Sequence, residues 1–407
     1  MYTAEPVSTQ SPAGPGNAPG LRPSVRSRVG GVRASLRRSA PALLVYAAVR
    51  AAGLLFLTAY AWYSGAHPRT LLGTSWDARW YLRIAQYGYG TVIPSGTQHA
   101  VIYNDLAFFP LYPMTVRAVH AVLPIGLVNV ALLVAWAAAG LTAWAVYLIG
   151  ERLYGHRVGM ALVLLYGLLP HAIIQTMAYT EPVLTALSAW ALYAVLTKRW
   201  IAAGVLAALA GCARPNGCAV AAAIVAGVLV DAWRKRKAGR PWFEPRAWAG
   251  ALIAPLGWLG YVLWVGLETG DLKGYFTVQA GWGSRYDFGW SALRYFKHLL
   301  THPSYFTYYV AAFIVAGFVI LFVLCVTDRI PVALLVYSAV LLLIGIGGAG
   351  FFQCKPRFLM PAFPVLIPAA LALARARPRT AAVAVVSLAG FSFCYGTYLL
   401  TVSPLAL

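Results

Sequence analysis

Residues 201–240 read IAAGVLAALAGCARPNGCAVAAAIVAGVLVDAWRKRKAGR, and the break at CARPNG (212–217) decides what kind of fold the chain adopts. Residues 201–230 are apolar apart from that break. At about 1.5 Å of helix rise per residue, roughly 20 residues cross a hydrocarbon core. Thirty are too many for one straight span and too few for two. Cations stand at both ends, KR at 198–199 and RKRKAGR at 234–240. Such clusters mark the cytoplasmic face, so the chain enters and leaves by the same side. The spacing therefore predicts two half-length helices in a re-entrant hairpin, with Arg214 and Asn216 near its tip. Broken backbone at membrane depth persists only where it is buried in protein or lines a water-filled cavity.

Working outward, the 407 residues are 60% apolar and 11% charged, with a mean hydropathy of +0.70. Apolar runs predict spans near 41–63, 126–149, 158–176, 182–197, 247–267, 304–326, 330–350, 359–374 and 380–401. The expected fold is an all-α polytopic transmembrane helical bundle of about nine spans plus the hairpin. Residues 1–40, rich in Pro, Gly, Ser and Arg, read as a disordered basic cytoplasmic tail before one membrane domain at 41–407. The net charge of +21 falls mostly in that tail and in short loops. This pattern fits contact with anionic membrane lipids and argues against nucleic acid. The five cysteines form no CxxC pair, so neither a disulfide framework nor a zinc site is expected. His99, His171 and His302 lack metal-ligand spacing. GIGGAG (345–350) ends an apolar span with no βαβ unit after it, so it carries no dinucleotide signal.

Alternating spans leave 64–125, AYTEP (178–182), 268–303 and FFQCKPR (351–357) outside. Of the eleven acids, six then lie on the outer side: Asp77, Asp105, Glu181, Glu268, Asp271 and Asp287. Asp77 stands in SWDARWYLRIAQYGYG (75–90), which packs two arginines and five aromatics into sixteen residues. With Ser75 as N-cap, residues 76–87 form a short helix that places Asp77, Trp80, Tyr81 and Ile84 on one face. Arg79, Arg83 and Gln86 point elsewhere. Asp77 reads equally well as an acid favoured by the helix dipole or as a group that does chemistry. Asp105 reads as a turn residue or a ligand contact, and Glu181 as a cap before Pro182 or a functional acid. Arg214 and Asn216 sit where an ionisable group is costly, so they are functional candidates; alternatively Arg214 pairs with Glu181 and holds the hairpin. Lys355 and Arg357 could clamp a phosphate, with Arg285 and Arg294 as competitors, or snorkel to lipid head groups. Trp282 could stack on a sugar or serve as an interfacial anchor.

Five blocks in order resemble a known family. WDARWYLRIAQYGY (76–89) with AFFPLYP (107–113), YTEPVLTALSAWALY (179–193), ARPNG (213–217), QAGWGSRYDFGWSALRYF (279–296) and PRFLMPAFP (356–364) are similar to the motifs of PIG-V. PIG-V is the second mannosyltransferase of glycosylphosphatidylinositol assembly, and the resemblance extends to its bacterial relatives over about residues 41–400. Pro215 stands where that family has Ser. Eukaryotic-type members also carry a Glu shortly after the GY element, which 90–104 lacks; either Asp105 substitutes for it or the acceptor contact differs.

The resemblance implies a GT-C-type integral-membrane glycosyltransferase. It would move mannose, with inversion, from a polyprenyl-phosphate-mannose donor lipid to a glycolipid or cell-envelope glycan acceptor. The active site would face the extracytoplasmic side of a bacterial plasma membrane. Asp77 matches the first-loop acid and is the expected catalytic base. Tyr81, Arg83, Asp105, Glu181, Arg214, Asn216, Gln279, Trp282, Arg285, Lys355 and Arg357 make up the expected substrate-binding set. No cofactor is firmly implied, although a divalent ion at Asp77 and a second acid is left open. The rival readings are a lipid-linked-sugar flippase or transporter, for which a second interrupted element is lacking, and a protein O-mannosyltransferase.

Overall fold

The computed structural model describes residues 25–94 and 102–406. It divides into two units, Met1–Arg38 and Ser39–Leu407, and the second holds the helical bundle and its cavity. Of the tail expected over 1–40, residues 1–24 lie outside the described residues. Residues 25–40 are helical, as the first part of Val25–Tyr63; arginine, alanine and leucine there are good helix formers.

Among the described residues six helices are long and apolar enough to cross a membrane: Arg33–Tyr63, Leu127–Tyr154, Pro215–Lys237, Pro245–Thr269, Phe306–Thr327 and Pro378–Thr401. Five of them fall on expected spans. The chain is a membrane-embedded all-α bundle. The other four expected spans are shorter or broken. The run at 158–176 is helical only over His156–Gly167, then turns as a 3₁₀ helix at Ala172–Thr176. Glu181–Leu196 and Val332–Gly347 are 16 residues each. The run at 359–374 belongs to a pair, Phe352–Leu359 and Phe363–Arg375, bent by 80°. Proline explains two of these breaks, because Pro170 in the first and Pro361 and Pro364 in the bent pair cannot supply a backbone donor to a continuing helix, whereas Pro182 stands in the first turn of its helix, where no donor is needed.

The chain doubles back over 200–237, but not as two half-length helices: Trp200–Gly211 has 12 residues, whereas Cys218–Lys237 has 20 and, with the 3₁₀ turn before it, is long enough to cross on its own. The feet of the two legs are joined by a Lys198–Asp231 ion pair, and Lys235 reaches both Asp231 at 2.8 Å and Glu244 at 2.6 Å. The short leg is wedged by close backbone contacts. A Cβ on Gly257 would overlap the Ala208 carbonyl, and one on Gly217 would overlap that of Ala210. Small residues at such crossings let helices approach in a membrane.

Among the described residues two short antiparallel pairs stiffen the 64–125 and 268–303 segments. Val92–Pro94 pairs with Ile102–Asn104. Arg285 and Tyr286 pair with Ala349 and Gly348, tying the 268–303 segment to the end of Val332–Gly347.

Candidate active site

Four of the charged groups expected to matter sit where helices start, stop or bend. Asp77 opens the helix Asp77–Tyr87, and Glu181 opens Glu181–Leu196. Each carboxylate therefore stands at the positive end of a helix dipole. Arg214 precedes the 3₁₀ turn Pro215–Gly217 between the hairpin legs, and Arg357 lies in Lys355–Leu359 just before the 80° bend. A helix broken at depth delivers its polar terminus to the interior, which a continuous span cannot do.

These four side chains form one cluster. Arg357 Nη2 donates to Asp77 Oδ2 at 2.6 Å, and Arg357 Nε lies 3.0 Å from Glu181 Oε1. Arg214 pairs with the same Glu181 oxygen. Glu181, Arg214 and Arg357 are buried, whereas the Asp77 side chain keeps 22% exposure. Two cations face two anions, so the group is neutral as a whole. Aromatic rings cover the guanidiniums: Arg357 lies 5.2 Å from the Tyr179 ring and 5.1 Å from Phe358, and Arg214 lies 5.8 Å from Phe358. Asn216 Nδ2 points at the Phe358 carbonyl at 3.5 Å.

Asp77 is reached through a strained turn. The cap position is Trp76, with φ 45°, and no side chain caps the helix; Ser75 is not the N-cap. A tryptophan in the left-handed region costs on the order of 1–3 kcal/mol, a strain that clusters at functional sites. The helix beyond it buries Ala78, Tyr81, Ile84 and Ala85.

A cavity of about 780 Å³ opens above the cluster and is lined by Asp77, Arg214, Asn216 and Arg357. This is the size of a site for a small ligand. Its walls are aromatic. Trp282 stands edge-on to Trp80 at 5.1 Å and to Phe108 at 5.2 Å, and its indole N–H donates to the Asn104 carbonyl at 3.0 Å. Tyr81 packs edge-on against Phe108 and Tyr112, each at 5.2 Å. Gln279 lines the wall and donates to the Ala107 carbonyl at 3.1 Å and the Tyr275 hydroxyl at 3.0 Å. Ala406 closes part of the rim, its carbonyl approached by Gln353 Nε2 at 3.3 Å and Cys354 Sγ at 3.4 Å.

Several expected residues take other places. Glu181 is not on the cavity wall; it lies behind the two arginines and holds them. Asp105 is also off the wall. It is buried, and its carboxylate accepts from the Gly90 N–H at 3.0 Å and the Thr91 N–H at 2.7 Å, closing the base of the 90–105 loop. Of the stretch lacking the family's Glu, residues 95–101 lie outside the described residues. Arg83 is exposed and donates to Thr91 Oγ1 at 2.9 Å, away from the cavity. Lys355 lines the cavity, but its ammonium donates to the carbonyls of Gly345 at 2.8 Å, Ile346 at 3.2 Å and Gly348 at 2.6 Å. It caps the C-terminal end of Val332–Gly347, where a cation meets the negative end of the dipole. Arg285 lies at the mouth; Arg294 is not on the wall and faces the Trp290 ring at 5.7 Å. Arg79 lines the cavity as well. Helical spacing sets it on a face away from Asp77, but the first turn of the helix opens directly into the cavity.

Among the described residues no group of three or more His, Cys, Asp or Glu side chains could hold a metal. The acid nearest Asp77 through the cluster is Glu181, and the Arg357 guanidinium stands between them. The residues present do not fit a divalent ion bridging two acids, because the arginines already neutralise both.

No protein-family model and no curated protein matches the sequence. Solved structures do. ArnT from Cupriavidus metallidurans in the apo state superposes with a TM-score of 0.50 at 14% identity, over 80% of this chain and 59% of that one. ArnT bound to undecaprenyl phosphate superposes with a TM-score of 0.54 at 16% identity, over 90% and 64%. The chain thus spans about three-fifths of the length of ArnT. At such identity the likeness speaks to architecture alone: the chain has an all-α polytopic membrane fold that it shares with ArnT.

Proposed function

We propose that this protein is an inverting membrane glycosyltransferase that takes its sugar from a polyprenyl-phosphate lipid. One observation carries the reading: a single partly exposed carboxylate, Asp77, oriented by Arg357, faces an aromatic cavity in a fold also found in a structure holding undecaprenyl phosphate. Mannose as the sugar rests on the five PIG-V-like blocks. The same blocks support an acceptor on a glycolipid or envelope glycan and a site on the extracytoplasmic side.

Each residue of the cluster has its own part in the reaction. The Asp77 carboxylate takes the proton of the acceptor hydroxyl as its oxygen attacks the anomeric carbon. The new C–O bond forms on one face of the sugar while the bond to the donor phosphate breaks on the other. The bonding electron pair leaves with polyprenyl phosphate, which gains one negative charge. Arg357 fixes Asp77 in direction, and Glu181 and Arg214 fix Arg357 in turn. Trp80 and Trp282 offer faces on which a sugar can stack.

The test is purified protein in detergent with radiolabelled polyprenyl-phosphate-mannose and a panel of lipid, glycan and peptide acceptors. Transfer by the wild type that is abolished in Asp77→Asn supports the assignment. Transfer by Asp77→Asn at the wild-type rate refutes the base. Absence of transfer to every acceptor, together with protein-dependent lipid flipping in vesicles, makes the protein a flippase instead; labelled peptide alone makes it a protein O-mannosyltransferase.

A further inference from the structure

Five cations line the cavity, namely Arg79, Arg214, Arg285, Lys355 and Arg357, against one carboxylate on the wall and Glu181 behind it. They are not equivalent. Arg214 and Arg357 are matched to Glu181 and Asp77. Lys355 gives its donors to three carbonyls. Arg79 and Arg285 are exposed, and neither meets a carboxylate among the described residues. Arg79 uses only its Nε, on the Thr74 carbonyl at 2.7 Å.

The stereochemistry of an inverting transfer then selects between the two sets. Base and leaving oxygen lie on opposite sides of the anomeric carbon. They are separated by one hydrogen bond and two stretched C–O bonds, roughly 7 Å. A phosphate on Arg357 would sit beside the Asp77 oxygen that Arg357 contacts at 2.6 Å. Base and leaving group would then share one side, with like charges in contact.

Resting on the glycosyltransferase reading above, we propose that Arg79 and Arg285 hold the donor's phosphate and that Arg357 does not. Both line the cavity, and among the described residues neither is ion-paired within the Arg214–Glu181–Arg357–Asp77 cluster. Their segments meet where Trp80 contacts Trp282 at 5.1 Å. Pairing of Arg285 with Ala349 fixes its backbone at the mouth, beside Gly348, whose carbonyl accepts from Lys355 at 2.6 Å. Lys355 adds its positive charge to this outer site without giving up a hydrogen bond. As the C–O bond breaks, the extra charge on the departing phosphate develops against these three cations, and the acceptor proton passes to Asp77 on the other side.

The experiment is binding of undecaprenyl phosphate to the full chain in lipid nanodiscs, with undecaprenol as the uncharged control. Wild type, Arg79→Gln, Arg285→Gln, Arg357→Gln and the conservative Arg79→Lys are compared. Loss of one charge-assisted contact weakens binding by about tenfold or more, so Arg79→Gln and Arg285→Gln each lose affinity for the phosphate lipid but not for undecaprenol. Arg79→Lys recovers part of the loss, and the donor KM rises in parallel. Arg357→Gln keeps the affinity within about threefold while kcat collapses. Unchanged binding in both mouth variants, or a tenfold loss in a folded Arg357→Gln, overturns the assignment while leaving the transferase reading intact. No binding of undecaprenyl phosphate by the wild type overturns both.

Discussion

Replacing Glu181 by Gln removes one charge from a buried four-group cluster and changes almost nothing in shape. The carboxylate is 1% exposed and serves two guanidiniums, with Arg357 Nε at 3.0 Å. At an effective dielectric constant near 20, a pair at that separation attracts by about 5–6 kcal/mol before desolvation is counted. The lost desolvation of Glu181 offsets part of this, and breaking a buried pair from one side costs about 3–5 kcal/mol net. The variant leaves two arginines facing one aspartate, with an uncompensated positive charge. Arg357, no longer held by Glu181, loses the contact that fixes its direction and with it the orientation of Asp77, so kcat falls while KM for the donor changes little. The measurements are thermal unfolding in detergent and steady-state transfer, in a cycle with Arg214→Gln. Arg214→Gln restores neutrality when combined with Glu181→Gln, so the double variant is more stable than the sum of the single losses by about 1–3 kcal/mol. If the two losses simply add, Glu181 does not couple the arginines, and the account of the cluster as a closed unit of charge is wrong.

Three other outcomes are expected. Asp77→Asn keeps the donor KM within a few-fold and lowers kcat by about 10²–10⁴, the scale of general-base catalysis; a pre-steady-state transfer assay separates this from loss of binding. Gly257→Ala drives a methyl into the Ala208 carbonyl and lowers the unfolding temperature, whereas Gly260→Ala, with open space around it, leaves it unchanged. Lys355→Met uncaps Val332–Gly347 and loosens the strand held by Gly348 and Ala349; limited proteolysis at 283–287 should quicken, and equal cleavage rates would count against a capping role.

Apolar runs locate the long helices, and the cations at both ends of 201–230 mark a hairpin whose feet Lys198 and Asp231 do join. The pairing of Arg214 with Glu181, one of two alternatives that the residue types allow, is present because both lie at helix breaks that open to the same interior. The contact of Arg357 with Asp77 spans 280 positions, and no periodicity reports on it. Asp105 illustrates the reverse case: its residue type suits a ligand contact, but two backbone N–H groups of its own loop claim the carboxylate. Hydropathy alone overcounts the full-length spans because it averages across Pro170 and Pro361, where the backbone turns while the side chains stay apolar.

The carbonyl of Ala406, held by Gln353 and Cys354 at the rim of the cavity, has a practical consequence. A label carried at position 406 stands at the doorway of the site. A bulky group attached there would compete with substrate for the same space. A small fluorophore would instead become a reporter, brightening or dimming as lipid enters and leaves.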